Sequence, residues 1–206
     1  MDESASGRSV AWLSLDKDDN DPARFLSYLI AALQTLDADI AQDNLILPPA
    51  STDAPHSKAA QVKSVMTTLI NEIASVPGDL LFVLDDYHTI EHPLIHNAIT
   101  FLLDHLPPHT HVVITSRADP PLPLSRLRAR GQLVEIRSTD LRFTLDEAAA
   151  FLNQVMKLQL STGDVTTLET RTEGWIAGLQ LAALALQEAL SMQGREGAQN
   201  FDRLCR

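Results

Sequence analysis

LLFVLDDYH, residues 80–88, runs five apolar residues straight into two aspartates. Apolar at every position, Leu80–Leu84 reads as a short strand covered on both faces by helices, because a half-exposed strand would alternate. Pro77-Gly78 breaks the chain just before it, and Pro93 opens a helical pattern just after it. Asp85 and Asp86 therefore stand at the carboxyl end of a strand in a parallel sheet, where open α/β sheets bind their ligands. Acids that cap the next helix, or simply meet solvent, give the same pattern.

The flanking sequence repeats this alternation of strand and helix. Val10–Leu15 (VAWLSL) reads as a strand, and Asp21-Pro22 as the N-cap and first residue of a helix. Phe25, Leu29, Leu33 and Leu36 give that helix its buried stripe. A second helix is expected from Lys58, with Val62, Val65, Met66, Leu69 and Ile73 on one face, and a third from Pro93 to the double proline at 107–108. Val112–Thr115 and Leu133–Ile136 read as two more strands, with a short basic helix, Leu124–Arg130, between them. Beyond Arg142 the pattern is helical. Thr144-x-x-Glu147 and Ser161-x-x-Asp164 are capping boxes, and an Ala/Leu-rich helix spans Gly174–Leu190 with Trp175 leading its core stripe. The expected organisation is an α/β domain over 1–142, a helical domain over 143–190 and a polar tail over 191–206.

Composition narrows the function. The 206 residues carry 27 acids and 16 bases, a formal charge of −11, which opposes direct binding of DNA by this chain. No apolar run approaches the ~20 residues that span a bilayer. The opening MDESASGRSV lacks the basic and apolar regions of a signal peptide, and a single cysteine, Cys205, suits a reducing cytoplasm.

Three groups of residues carry candidate chemistry. In phosphate-hydrolysing sheets an acid in the position of Asp85 holds Mg²⁺, and a neighbour such as Asp86 orients the attacking water. Ser116-Arg117 ends the strand VVIT, and a guanidinium there is placed to bind phosphate oxygens bidentately. Among the seven histidines, His92 and His96 have i, i+4 ligand spacing, yet solvated helix-face histidines are the commoner outcome of such spacing. A metal hydrolase built on Asp85, Asp86 and His88 would need further clustered ligands. The arginines 117, 126, 128, 130, 137 and 142 form a locally basic strip, and most such strips are hydrated. The sequence contains no G-x-x-x-x-G-K-[ST], so a phosphate-cradling loop is missing from the residues given.

Five stretches in order, VAWLSLDKDDNDPARFLSYLIAALQTL, LLFVLDDYHTIEHPLIHNAITFLLDHLPP, VVITSRADPPLPLSRLRARGQL, DLRFTLDEAAAFLN and TEGWIAGLQLAALAL, resemble the MalT-like large ATP-binding regulators of the LuxR group. These are transcription activators of the STAND class of P-loop ATPases. The resemblance implies an α/β, P-loop NTPase-type parallel sheet lacking its first (Walker A) strand, followed by a small helical domain. It implies Asp85 and Asp86 as the Walker B acids, Asp85 as the metal ligand, and Arg117 with Ser116 as the sensor of the nucleotide. Gly178 and Gln180 fall in GLQLA, which matches a GLPLA motif near the adenine, with Gln180 at the proline position. ATP and Mg²⁺ are the implied cofactors of the parent family, with weak or no binding and no hydrolysis expected of this chain. An unpaired sheet edge leads us to expect marginal stability, self-association or a closed-up sheet with its last strand rearranged, and the expected partners are a second copy or a full-length regulator. The second reading is a non-catalytic interaction module.

Overall fold

The computed structural model describes residues 9–36, 40 and 55–188, with side chains from residue 58 onward in the last stretch. They fall into two compact units, Met1–Arg130 and Gly131–Arg206.

In the first unit, β1 (Ser9–Ser14), β2 (Leu80–Asp85) and β3 (Thr110–Ile114) form a parallel sheet in the order β1-β2-β3. The register sets Phe82 between Ala11 and Val112, and Leu84 between Leu13 and Ile114. Helices α1 (Pro22–Gln34) and α2 (Pro55–Ser75) lie between β1 and β2, α3 (Pro93–Asp104) lies between β2 and β3, and α4 (Leu124–Ala129) follows β3. The helix starts expected at Asp21-Pro22 and Pro93 have their caps. The Asp21 carboxylate accepts the Arg24 N–H at 2.9 Å with Pro22 following, and the His92 imidazole accepts the Leu94 N–H at 3.2 Å with Pro93 following. One hydrophobic core joins the stripes of α1, α2 and α3 to alternate residues of the strands. Phe25, Leu29, Met66, Leu69, Leu84 and Ile99 are almost fully buried in it. Each such side chain contributes about 1.5–3 kcal/mol of transfer free energy.

The sheet corrects one expectation. Four of the five residues of LLFVL are buried, as expected, but among the described residues no helix covers the face of the sheet opposite Leu80, Phe82 and Leu84. On that face Val10, Trp12 and Val113 are 48%, 57% and 42% exposed, although Val83 between them is buried. The strand order supplies the reason. Both crossovers step in the same direction across the sheet, and right-handed connections then put their helices on the same face.

A second correction concerns Leu133–Ile136, expected as a strand. Those residues are neither strand nor helix, and Val134 and Ile136 are 89% and 70% exposed. An extended segment becomes a strand only with a ladder partner, and this one has none among the described residues.

In the second unit, α5 (Leu145–Ala150) continues into one π-helical stretch, Phe151–Val155, and is followed by α6 (Thr162–Thr172) and by helical residues 176–188. Ala148, Leu152, Leu158, Val165, Leu179 and Ala183 are its core, and Phe143 and Phe151, edge to face with each other, pack against it. The Thr144 capping box forms in full: the threonine hydroxyl accepts the Glu147 N–H, and the Glu147 carboxylate accepts the Thr144 N–H at 2.8 Å. At Ser161 only half of the box forms. The hydroxyl accepts the Asp164 N–H and donates to the Asp164 carboxylate, without the reciprocal bond from the Ser161 N–H that completes the box at Thr144. Trp175 departs from its expected core role. It is 48% exposed, because the left-handed turn at Glu173-Gly174 places it before the buried positions Leu179 and Ala183. The polar tail lies outside the described residues, as does Leu190.

Candidate functional site

Asp85 is the last residue of β2, and Ser116 and Arg117 come just after Thr115, which follows the end of β3, so both groups sit at the carboxyl edge of adjacent parallel strands. The chain connecting them is hydrogen-bonded across the edge. Thr115 donates its N–H to the Leu84 carbonyl at 3.0 Å, and its own carbonyl accepts the Tyr87 N–H at 2.9 Å. The Thr115 hydroxyl accepts the Asp86 N–H at 2.9 Å and donates to Asp85 Oδ1 at 2.5 Å. Asp85 is half-buried and Asp86 exposed.

Asp86 occupies the left-handed region, φ 57° and ψ 38°, a conformation that Asp tolerates better than most residues. That twist turns the chain into a short 3₁₀ turn, Tyr87–Thr89, and drives Tyr87 into the core, where it is fully buried. Its hydroxyl bonds His96 Nδ1 at 2.9 Å, and burial pushes its ionisation above the ordinary phenol range. The Asp86 carboxylate faces His88 instead, with Nδ1 3.7 Å from Oδ1, beyond hydrogen-bond length.

A second loop meets this one. Asp16 and Asp19 form a capping box around the turn Lys17–Asn20, and the buried Asp19 pairs with Arg24 at 3.2 Å. The box presents the Asn20 amide to the loop after β2. Asn20 Nδ2 donates to the carbonyls of Lys17 (3.0 Å) and Thr89 (2.8 Å), while Oδ1 accepts the N–H groups of Glu91 (2.6 Å) and His92 (3.1 Å). The acidic run 16–21 is thus a brace for the acid-bearing loop. Asn20, Tyr87 and Thr115 belong to no motif that marks them in the sequence. The one visible signal was a Thr placed directly before Ser-Arg at a strand end.

The remaining candidates divide. Ser116 donates its hydroxyl to the Ala118 carbonyl at 2.6 Å, which turns the chain. Arg117 is exposed and forms no ion pair among the described residues. Gly178 and Gln180 belong to the second unit. A Cβ on Gly178 would lie 3.1 Å from the Thr172 side chain, so close helix packing accounts for that glycine without a ligand. Gln180 is exposed.

Three arginines of the basic strip form local pairs: Arg126 with Asp104 at 2.7 Å, Arg142 with Glu173 at 3.0 Å, and Arg137 with Glu135. Four of the histidines are more than solvated side chains. His92 caps α3, His96 holds Tyr87, and His105 and His109 bond backbone carbonyls. No group of three metal-ligating side chains occurs among the described residues, so the hydrolase built on Asp85, Asp86 and His88 finds no support.

Burial, and then the neighbouring His92, lower the His96 pKa below 6.5. The neutral ring is therefore favoured in the native state, and the unfolded chain binds the proton first. His96 contributes stability that is present above pH 6.5 and lost as pH falls toward its lowered native value. Urea midpoints measured at neutral pH and near pH 5 should fall more for the wild type than for His96→Gln. Equal losses would show that His96 is not the responsive group.

No protein-family model matches the chain. Individual relatives do. The chain is 38% identical over 185 residues to the serine/threonine-protein kinase PknK of Mycobacterium tuberculosis (strain ATCC 25618 / H37Rv), covering 89% of this chain and 16% of that protein. It is 37% identical over 185 residues to the HTH-type transcriptional regulator MalT of Cronobacter sakazakii, covering 89% of this chain and 20% of the regulator. It is also 36% identical over 188 residues to MalT of Serratia proteamaculans, again 20% of that protein. The chain thus spans one fifth or less of the length of these curated relatives, and it is homologous to one segment of each. No helix among the described residues is long and apolar enough to cross a membrane.

Proposed function

We propose that this chain is part of the nucleotide-binding signalling region of a MalT-like, LuxR-group transcription regulator of the STAND class, acting in the cytoplasm. The observation that carries this reading is the shared sheet edge: neighbouring parallel strands end in Asp85-Asp86 and in Ser116-Arg117, joined by Thr115. The homology to MalT regulators supports it independently.

The residues fit Mg-ATP in part. Asp85 commits one carboxylate oxygen to Thr115 and leaves the other to a cation or its water. One carboxylate holds Mg²⁺ weakly until phosphates share it. Arg117, exposed beside that edge, is the cation that would meet a terminal phosphate and report its presence. Bound Mg-ATP supplies the phosphate charge that this arginine reads. Asp86 takes the role of orienting water.

Without a phosphate-cradling loop in the sequence, binding is weak and hydrolysis slight. Isothermal titration tests this. Mg-ATP should bind the chain with a dissociation constant on the order of millimolar, weaken in Asp85→Ala, and lose its advantage over ADP in Arg117→Ala. Micromolar binding, or affinity untouched by Asp85→Ala, would overturn the reading.

The exposed apolar row Val10, Trp12 and Val113 favours a second reading, a non-catalytic module that associates with itself or with full-length regulators. Such a module would give no nucleotide response in the same titration.

A further inference from the structure

We infer that Thr115 is the positioning residue of the acid pair: its hydroxyl fixes the Asp85 carboxylate and the Asp86 backbone together and ties both to the chain that carries Arg117. The inference rests on the reading of Asp85 as the metal-holding acid.

The direction of the two hydroxyl bonds follows from chemistry alone. A backbone N–H only donates, so Thr115 Oγ1 must accept from Asp86 at 2.9 Å. Its one proton is then available to Asp85 Oδ1, an acceptor 2.5 Å away. The result is a polarised chain from the Asp86 amide through the hydroxyl to the Asp85 carboxylate, in which each bond strengthens the other. The acceptor that Asp86 finds in Thr115 also holds it in its left-handed conformation. β-Branching leaves the threonine few rotamers, so the hydroxyl is preset once the backbone bonds to Leu84 and Tyr87 have formed.

Two consequences distinguish this from ordinary strand-end packing. Asp85 Oδ1 is taken by Thr115, which leaves Oδ2 as the oxygen for a cation or its water. Asp86, only one residue on, has its carboxylate turned toward His88 rather than toward Asp85. The two acids therefore do not share one task. Thr115 also precedes Ser116-Arg117 directly, so a displacement of the arginine reaches Asp85 through Ser116 and Thr115 alone.

Valine keeps the shape of threonine and removes both hydroxyl bonds, whereas serine keeps them. The test uses the 206-residue chain and Mn²⁺ alone as the probe. Manganese should broaden the amide signals of residues 84–87. Thr115→Val should weaken that response about five- to tenfold, and Thr115→Ser should restore it. The Asp86 amide should exchange with solvent about tenfold faster in the valine variant and at the wild-type rate in the serine variant. Thermal melts of both variants should stay within a few degrees of wild type, which separates positioning from unfolding. Unchanged Asp86 exchange in Thr115→Val, or Mn²⁺ response equal to wild type, would overturn the inference. Should manganese broaden nothing in the wild type, the metal-holding reading of Asp85 falls, and exchange at Asp86 alone decides the role of Thr115.

Discussion

Asn20→Ala should lower the stability of the first unit by about 2–3 kcal/mol, because it removes a fully used amide rather than one contact. Four bonds converge on Asn20, two donated to carbonyls and two accepted from the N–H groups of Glu91 and His92. Alanine leaves the Thr89 carbonyl and both amides without protein partners in a half-buried place, where water replaces them imperfectly. The substitution keeps helical propensity and removes no apolar surface, so the loss is assigned to the bonds. Asn20→Asp should fall between the two. It keeps the acceptor for Glu91 and His92, loses the donor to Thr89, and adds a charge beside Asp16, Asp18, Asp19 and Asp21. Urea unfolding reads the effect as a lower midpoint with an unchanged slope. An alanine variant with the wild-type midpoint would mean that the brace is dispensable.

Gly174→Ala should cost more, about 3 kcal/mol or above, and should act on the helical unit. Gly174 sits at φ +69°, and left-handed backbone alone costs an alanine about 1–2 kcal/mol. A Cβ there would also lie 2.5 Å from the Phe143 carbonyl oxygen and 3.2 Å from the Phe143 nitrogen. That backbone cannot retreat freely, because the Phe143 N–H donates to the Gly174 carbonyl at 2.8 Å. Gly131 provides the control: its φ is +65°, yet a Cβ meets nothing within 4 Å. Gly131→Ala should therefore show the backbone cost alone, about 1 kcal/mol. Circular dichroism melts of the two variants measure the difference. If they melt alike, the close approach of Phe143 to Gly174 carries no energetic weight.

Much of the local structure was legible because it depends on local chemistry. Prolines at 22 and 93 with their caps, the stripes of α1–α3 and the Thr144 box all obey rules confined to a few residues. The carboxyl-edge position of Asp85 and of Ser116-Arg117 was legible too, since an apolar run ending in a polar group marks a strand end. What escaped depended on register and topology. LLFVL looked doubly covered because β2 is the central strand, but VAWLSL already alternated between buried Ala11 and Leu13 and exposed Val10, Trp12 and Ser14. Leu133–Ile136 has strand composition and no partner. Asn20 and Thr115 act across gaps of about seventy and thirty residues, and no local pattern announces such bonds.

The uncovered row on the sheet has a practical corollary. Trp12 and Trp175 are the two indoles of the chain, one in each compact unit, and both are half open to water. Each half of the molecule thus carries its own intrinsic fluorophore. With either indole exchanged for phenylalanine, the emission of the other reports on its half alone, and anything that settles on the open side of the sheet announces itself as a blue shift from Trp12.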